Sequence, residues 1–267
     1  MTKERLDVTL VNKNLINSRT KALELIKNGN VLVNEKVILK PAFLVDENDQ
    51  IMIKDDPLLA YVSRGGLKLK KALNAFNIKL DNLIIMDIGA STGGFTSCAL
   101  KENAKKVYAI DVGSNQLHES LKNNSKVISF ENTNFKDIAQ CDVSDKIDMY
   151  VCDVSFISLR TIIDTLMKYD DNFTLIALFK PQFEVGHSNL NKNGVVKNKK
   201  IIMMAINSFV NYLTYNNIAI LNFTYSPIIG QKEGNIEYLF YLKNKEKSKQ
   251  INYNSIIEES YEVLRVK

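Results

Sequence analysis

Residues 83–96 read LIIMDIGASTGGFT and decide the fold. An apolar run ends in Asp87, a glycine-rich loop follows, and apolar residues then recur at helical spacing. This order predicts a buried parallel strand, a tight loop and the N-terminus of a helix. Because glycine has no Cβ, such a loop lets backbone N–H groups come close to a ligand.

A second apolar run, residues 107–110, also ends in an acid, Asp111. An acid that closes the second strand of a βαβ unit commonly accepts hydrogen bonds from a ribose diol. The two acids therefore favour a nucleoside-binding loop over a loop that only turns the chain. The candidate cofactor contacts here are Asp87, Gly89, Ala90, Ser91, Gly93, Gly94, Phe95, Asp111 and Val112.

Further apolar runs predict a doubly wound, Rossmann-like α/β sheet. They span residues 127–130, 149–152, 175–179, 219–221 and 238–242. In such a sheet the loops at the carboxyl ends of the strands line the ligand crevice. Asn132 and Asn134 follow the third strand and are candidates to bind an adenine. Loop asparagines also bond their own backbone, so both interpretations stay open.

The same loop supports a rival hypothesis. Residues 89–93 match the G-x-S-x-G pattern that presents a nucleophilic serine, here Ser91. Asp153 and His187 follow in the order found in serine hydrolases. A hydrolase would leave Asp111 without a role. A dinucleotide fingerprint is excluded because Ser91 stands at its second glycine.

Bulk composition narrows the class of protein. A chain of 267 residues fits one large and one small domain. We find no apolar run long enough to span a membrane and no apolar N-terminal leader, so we expect a cytoplasmic protein without stable membrane insertion. Three scattered cysteines and two histidines indicate neither a disulfide framework nor a metal site. The net charge of +5 is compatible with nucleic acid.

Residues 1–54 predict a small α+β module, with Ser18 as the N-cap and Gly29 as the terminator of its second helix. The order Arg5-Leu6-Asp7, Ser18-Arg19, Ala22, Ile26, Gly29, Val31, Val33-Asn34 resembles the S4 RNA-binding domain. The resemblance implies RNA contacts at Arg5, Ser18, Arg19, Lys21 and Lys27. An ordinary solvated helix face is the alternative.

Residues 55–62 are the predicted linker, polar and broken by Pro57, and residues 63–267 the second domain. This domain opens with dense positive charge from Arg64 to Lys71. Basic charge at a helix N-terminus opposes the macrodipole, which indicates an anionic partner. We therefore add Arg64 to the candidate RNA contacts.

Four charged residues stand beside predicted strand ends or turns: Lys68, Asp153, Lys180 and Glu237. Asp153 and Lys180 close strands that should be neighbours, so we expect them to meet in one crevice. A desolvated lysine beside other cations loses its proton more readily and can act as a base toward a hydroxyl. Such a group suits a sugar hydroxyl that attacks a methyl sulfonium, and needs no metal.

Five motifs together resemble the TlyA family, in which an S4 domain precedes an FtsJ-like methyltransferase domain. They are YVSRGGLKL (61–69), DIGASTGGFT (87–96), DVSFISL (153–159), KPQFEVG (180–186) and GNIEY (234–238). The resemblance implies S-adenosylmethionine as methyl donor and a ribose 2′-hydroxyl of ribosomal RNA, at cytidine, as acceptor. It also implies that Lys68, Asp153, Lys180 and Glu237 form the family's K-D-K-E tetrad, with Lys180 as base or hydroxyl activator.

Many members of that family carry the name hemolysin, which belongs to a different functional class. A membrane-active protein is therefore an alternative to the methyltransferase. The sequence offers it only one amphipathic segment near the C-terminus, with apolar residues at Ile256, Ile257, Tyr261 and Leu264.

Overall fold

The computed structural model describes residues 3–16, 18–54, 56–141, 143–230 and 234–264. The chain divides into two compact units, with the boundary between Ser63 and Arg64. The predicted linker at 55–62 belongs to the first unit by this division, and its first residue, Asp55, lies outside the described residues. The domain limits 1–54 and 63–267 stay predictions.

Among its described residues, the first unit contains two helices and five short strands. In chain order they are β1 (Glu4–Arg5), α1 (Leu6–Asn12), α2 (Arg19–Lys27), β2 (Val31–Val33), β3 (Lys36–Val37), β4 (Leu44–Val45) and β5 (Ile51–Ile53), followed by a 3₁₀ turn at Pro57–Ala60. Strand β1 pairs with β4, and β2 lies between β3 and β5; every pairing is antiparallel. Leu10, Leu25 and Ile26 are fully buried and give this small unit its core.

The ends of α2 are as the sequence predicts. The Ser18 hydroxyl accepts the backbone N–H of Lys21 at 3.3 Å, which satisfies one of the free donors of the first turn. Gly29 follows the helix with a φ of 76°, a left-handed conformation that glycine adopts without steric cost.

The second unit is built on a seven-stranded sheet. Its strands are β6 (Ile84–Ile88), β7 (Lys106–Ile110), β8 (Val127–Phe130), β9 (Met149–Cys152), β10 (Thr174–Phe179), β11 (Ile218–Tyr225) and β12 (Tyr238–Asn244). Their order in the sheet is β11-β12-β10-β9-β6-β7-β8. Strand β12 runs antiparallel to both of its neighbours, and the remaining pairs are parallel. The predicted α/β class is confirmed.

Helices connect and flank these strands. They are α3 (Gly65–Phe76), α4 (Gly94–Lys101), α5 (Glu119–Lys122), α6 (Leu159–Tyr169), α7 (Lys199–Tyr215) and α8 (Tyr253–Leu264), with 3₁₀ turns at Phe135–Gln140, Pro181–Phe183 and His187–Asn189. The amphipathic α8 buries Ile257, as its pattern predicts. Within the described ranges, none of the helices combines the length and the apolar character that crossing a bilayer requires.

Two features of the sheet locate the site. Strand β6 pairs with β7 on one side and β9 on the other, so the loops after β6 and β9 border the switch-point crevice. Strand β10 is supported from behind by a cluster of aromatic rings. The Phe179 and Phe209 centroids lie 5.2 Å apart, and Phe240 lies 5.7 and 5.2 Å from them. This packing holds the end of β10 in a fixed position, and with it the backbone of the next residue, Lys180.

Candidate active site

Three strand ends bring charged side chains to one edge of the sheet. Asp153 directly follows β9 and Lys180 directly follows β10, and these two strands pair in parallel. Glu237 directly precedes β12, whose Tyr238 pairs with Phe179 of antiparallel β10. The register therefore places Glu237 beside Lys180, and α3 contributes Lys68.

The four side chains form one connected ion-pair network. Lys180 Nζ lies 2.6 Å from Asp153 Oδ1. Lys68 Nζ lies 3.3 Å from Asp153 Oδ2 and 2.7 Å from Glu237 Oε2. The structure thus brings together the four residues that the sequence singled out, with Asp153 shared between the two lysines.

Burial makes this network costly unless the charges stay paired. Lys68, Lys180 and Glu237 are only 7%, 8% and 3% exposed. Burial lowers the pKa of Lys68, but the nearby Asp153 and Glu237 carboxylates outweigh it and raise that pKa overall. Burial likewise raises the pKa of Asp153, and the two ammonium groups more than reverse the effect, so the net direction is downward. Lys68 stays a cation and Asp153 an anion at neutral pH.

In addition to the ion pairs, a hydrogen bond and a ring contact connect the loops after β9 and β10. Lys180 Nζ donates to the Ser155 hydroxyl at 2.8 Å. The Phe156 and Phe183 rings pack with centroids 5.2 Å apart. Sequence reasoning assigned no role to Ser155, because loop residues show no periodicity that tells which way a side chain points.

Glu184 makes a second tie between the same loops. Its carboxylate accepts the Ser158 hydroxyl and the Leu159 backbone N–H, each at 2.8 Å. Burial raises the pKa of Glu184, and these two hydrogen bonds oppose that shift. Since Leu159 begins α6, the carboxylate also caps that helix. Glu184 is a further residue that sequence reasoning missed.

The glycine-rich loop depends on its glycines. Gly89 and Gly93 have φ values of 81° and 94°, where a side chain is strained. A Cβ on Gly89 would lie 2.9 Å from Val154, and one on Gly93 would lie 2.1 Å from Leu121. The loop therefore keeps its backbone close to the loop that carries Asp153.

Asp87 and Asp111 occupy different positions around this loop. Asp111 accepts the backbone N–H groups of Ser91 and Gly113, each at 2.7 Å, and the next residue, Val112, is 68% exposed. Asp87 is fully buried and accepts the Thr96 hydroxyl at 2.6 Å. With no exposed surface, Asp87 supports the loop from beneath, whereas direct contact with a cofactor was expected.

The other predicted cofactor contacts line the same region. Ala90 is buried, and Gly94 and Phe95 are buried in the first turn of α4. Asn132 is exposed with a φ of 53°. Asn134 is exposed as well, and its side-chain oxygen accepts the N–H of Lys136, so it caps the following turn. The alternative of an asparagine that bonds its own backbone thus holds for Asn134.

The hydrolase hypothesis is not supported by the geometry. The Ser91 hydroxyl donates to the Gln116 side chain at 3.2 Å, whereas a triad requires it to meet an imidazole. Both Asp153 oxygens pair with lysines, whereas the triad needs this carboxylate on His187. The Ser91, Asp153 and His187 assignment is therefore wrong.

In the first unit, Asp7 organises two of the predicted RNA contacts. Its fully buried carboxylate accepts Arg5 Nε at 2.9 Å and Arg19 Nε at 2.8 Å. The arginine side chains remain 45% and 58% exposed. Two guanidinium groups are thus held in fixed positions at the surface of this unit.

The remaining RNA candidates have varied environments. Lys27 is exposed, Ser18 serves as the cap of α2, and Arg64 is half-buried at the start of α3. Lys21 is only 9% exposed, and its ammonium donates to the Tyr61 carbonyl at 2.8 Å. Lys21 was expected to face RNA. In the structure its side chain is buried instead, and its ammonium is bound by a backbone carbonyl.

Comparison with known proteins agrees with this geometry. The FtsJ-like methyltransferase family matches residues 61–244, and the S4 domain matches residues 4–51. The first match covers more than half of the chain and includes the whole ion-pair network. The second unit is thus an FtsJ-like methyltransferase domain.

Individual relatives extend over both units. The 23S rRNA (cytidine-2'-O)-methyltransferase TlyA of Campylobacter jejuni is 41% identical over 256 residues, covering 88% of this chain and 98% of the relative. Hemolysin A of Brachyspira hyodysenteriae is 40% identical over 237 residues, with the same coverage of 88% and 98%. A solved structure described as a candidate hemolysin from Streptococcus thermophilus superposes with a TM-score of 0.76 at 34% identity, covering 98% and 97% of the two chains.

The chain belongs to the TlyA family, as its motifs predict. The Campylobacter methyltransferase and the Brachyspira hemolysin each align with it over 98% of their own length. The two names therefore describe one family and do not separate two folds.

Proposed function

We propose that the protein transfers a methyl group from S-adenosylmethionine to a ribose 2′-hydroxyl of ribosomal RNA, at cytidine. The observation that carries this proposal is the buried lysine of the β10 end, whose Nζ lies 2.6 Å from Asp153. It lies at the same sheet edge as the glycine-rich loop. The activity in the name of the Campylobacter relative supports the same reaction and substrate.

The residues around the loop fit the methyl donor. A Cβ on Gly89 or Gly93 would collide with Val154 or Leu121, so these glycines keep the loop backbone in its tight conformation. Asp111 offers a carboxylate for a ribose diol, and the exposed Val112 offers an apolar surface for a base. The side-chain oxygen of Gln182, two residues after Lys180, is buried without a partner among the described residues. Such an atom suits a site whose last hydrogen bond comes from a ligand.

The donor, when bound, supplies a methyl group on a sulfonium, and the S–C bonding electrons stay on sulfur when the hydroxyl oxygen takes the methyl group. The protein's own task is then to position the hydroxyl and remove its proton. Once Lys180 has released its own proton, its neutral Nζ can receive that of the hydroxyl. Asp153 orients Lys180 through one carboxylate oxygen. Lys68, which pairs with Glu237 at 2.7 Å, holds the other oxygen of Asp153.

Phe156 supports a nucleotide acceptor. Its ring is 91% exposed, and its φ is 64°, which is uncommon for a bulky residue and costs on the order of 1–3 kcal/mol. Single-stranded bases stack on exposed aromatic rings of this kind. Because Phe156 lies three residues after Asp153, a base stacked there would bring its ribose close to the lysine.

The first unit supports the RNA assignment independently of the chemistry. Arg5 and Arg19 are held by Asp7 and remain about half exposed. Guanidinium groups in fixed positions suit phosphate oxygens, which they bind through two parallel hydrogen bonds. We assign RNA affinity to this unit and methyl transfer to the other.

The test is mass-spectrometric mapping of 2′-O-methylation in ribosomal RNA after incubation with protein and methyl donor. Wild type should introduce a methyl group at a defined cytidine. Lys180→Ala should abolish transfer while both ligands still bind. Lys180→Arg should be almost as damaging, because a guanidinium cannot give up its proton.

Lys168→Ala is the matched control, since Lys168 is an exposed lysine near the end of α6. It should leave turnover unchanged. A Lys180→Arg enzyme with near-normal turnover would eliminate the base role and leave Lys180 as an electrostatic anchor only. Absence of any methylated ribose with wild type would overturn the proposed reaction itself.

A further inference from the structure

Ser155 lies in the loop between β9 and α6 and makes one side-chain contact that the tetrad does not account for. Its hydroxyl oxygen lies 2.8 Å from Lys180 Nζ and accepts a hydrogen bond from it. The residue is exposed, in contrast to the buried lysine that it contacts. Ser155 therefore lies on the open side of the network, where a substrate has to arrive.

The geometry of a lysine nitrogen gives this contact a consequence. Nζ is tetrahedral, so beyond its bond to Cε it has three directions for hydrogen bonds. Ser155 Oγ, which accepts a hydrogen bond at 2.8 Å, occupies one of them, and the Asp153 carboxylate, an ion-pair partner with Oδ1 at 2.6 Å, attracts a second N–H. Within the described residues, the one further contact recorded for this atom is the Phe183 ring, with its centroid 5.9 Å away. One direction is left for a hydroxyl.

The second acceptor decides where the lone pair points. A neutral amine has two N–H groups and one lone pair, and a carboxylate at one position holds one N–H. The other N–H and the lone pair can then exchange by rotation about the Cε–Nζ bond. An oxygen that accepts at the second position holds the second N–H there, which leaves the lone pair in the third direction.

We propose that Ser155 is a positioning residue that directs the Lys180 lone pair at the substrate hydroxyl. This inference rests on the proposed function. In the reaction the hydroxyl oxygen forms its bond to the methyl carbon, the methyl–sulfur bond breaks with its electrons on sulfur, and the hydroxyl proton passes to Nζ. Ser155 neither gains nor loses a proton, because it acts only through the lysine.

The expected effect lies in turnover. Ser155→Ala should lower kcat about tenfold, the size expected for one hydrogen bond to a charged or reacting group. KM for RNA and Kd for the methyl donor should stay within twofold of wild type, since Ser155 contacts neither in this role. Ser155→Thr keeps the hydroxyl and should restore kcat to within threefold of wild type.

Ser208 offers a matched control. It is an exposed serine whose hydroxyl also accepts from a cationic side chain, Arg160 Nη2 at 2.9 Å, but on α7. Ser208→Ala should leave kcat unchanged. Because Ser155 is exposed, Ser155→Ala should also unfold at the wild-type temperature, which separates lost positioning from lost structure.

Three results would overturn the inference. They are a normal kcat in Ser155→Ala, an equal loss in Ser155→Ala and Ser155→Thr, and a loss confined to KM or donor affinity. Wild type and Lys180→Ala are measured alongside. If wild type is active, Lys180→Ala is inactive and Ser155→Ala is normal, only the role of Ser155 fails. If wild type transfers no methyl group to RNA, the proposed function fails as well.

Discussion

Lys68 Nζ lies 2.7 Å from Glu237 Oε2, and both side chains are almost completely buried. A pair of this kind is weak evidence for stability, because desolvation offsets much of the Coulombic gain. Removing one partner is a different matter, since it leaves a buried charge uncompensated. Variants of this pair can therefore separate its contribution to stability from its contribution to methyl transfer.

Glu237→Gln should lower the free energy of unfolding by on the order of 2 kcal/mol, below the roughly 3–5 kcal/mol of a fully orphaned charge. The smaller cost follows because Asp153 remains 3.3 Å from Lys68. Adding Lys68→Met to Glu237→Gln should recover stability and not activity. Denaturant unfolding and methyl-transfer assays of the wild type and these two variants test this. Recovery of turnover in the double variant would contradict a role for the pair in catalysis.

Asp111→Ala should weaken binding of S-adenosylmethionine by roughly 1.5–3 kcal/mol, or about 10- to 150-fold. The carboxylate loses its bond to a ribose diol and also its hold on the Ser91 and Gly113 N–H groups. Titration calorimetry measures the change. Glu262→Ala, an exposed acid on α8, is the control and should bind normally. Unchanged affinity in Asp111→Ala would remove Asp111 from the site.

Asp7→Asn distinguishes positioned arginines from general positive charge. The substitution raises the net charge by one, so a purely electrostatic surface should bind RNA more tightly. If Asp7 positions Arg5 and Arg19, binding should weaken in spite of the added charge. Filter binding at several salt concentrations tests the sign. The Arg5→Ala/Arg19→Ala variant should reduce the log–log salt slope by about two, and an unchanged slope would exclude both arginines from phosphate contact.

Asp87 predicts an unusual pH dependence of stability. Burial, opposed by the Thr96 hydroxyl and reinforced by Asp153, raises the pKa of Asp87 from 3.8 to about 7. A carboxyl whose folded pKa is raised favours folding fully below its unfolded pKa, and that contribution is lost as pH rises toward 7. Asp87→Asn mimics the neutral acid, so its Tm should exceed that of wild type at pH 8.

The difference in Tm should shrink toward zero below pH 4, where both side chains are neutral. Thermal unfolding of the two proteins from pH 4 to pH 8 tests this expectation. A constant difference across that range would show that the carboxyl is equally ionised in the folded and unfolded states. Asp81→Asn is a suitable control because Asp81 is exposed.

Much of the fold could be predicted because the spacing of apolar residues, and the residues that begin and end each element, are local features of the sequence. The five parallel strands are apolar runs that end in charged or polar residues, and Ser18 and Gly29 bound α2 through chemistry visible in the sequence. The meeting of Asp153 and Lys180 follows from strand order alone. Lys68 and Glu237 stood out by their positions beside a turn and a strand end, but only the family resemblance implied that they join the other two, because neither a helix start nor an antiparallel insertion gives a local signal of its partners.

The remaining features depend on side-chain directions in loops. Ser155 and Glu184 connect two loops that are distant in sequence, and no periodic pattern describes such contacts. The sequence predicts Lys21 as an RNA contact, but in the structure its ammonium donates a hydrogen bond to the Tyr61 carbonyl. Asp87 and Asp111 look alike as strand-ending acids, and only the packing beneath the loop shows that one is buried.

The insertion of β12 between β10 and β11 has a consequence for synthesis of the chain. When β11 has just been synthesised, Lys68 and Lys180 are already made, but the carboxylate of Glu237 is not. The nascent domain cannot complete its sheet, or give Lys68 its second carboxylate partner, until β12 is inserted beside β10. If Glu237 takes part in catalysis as proposed, a chain arrested before β12 should lack methyl-transfer activity.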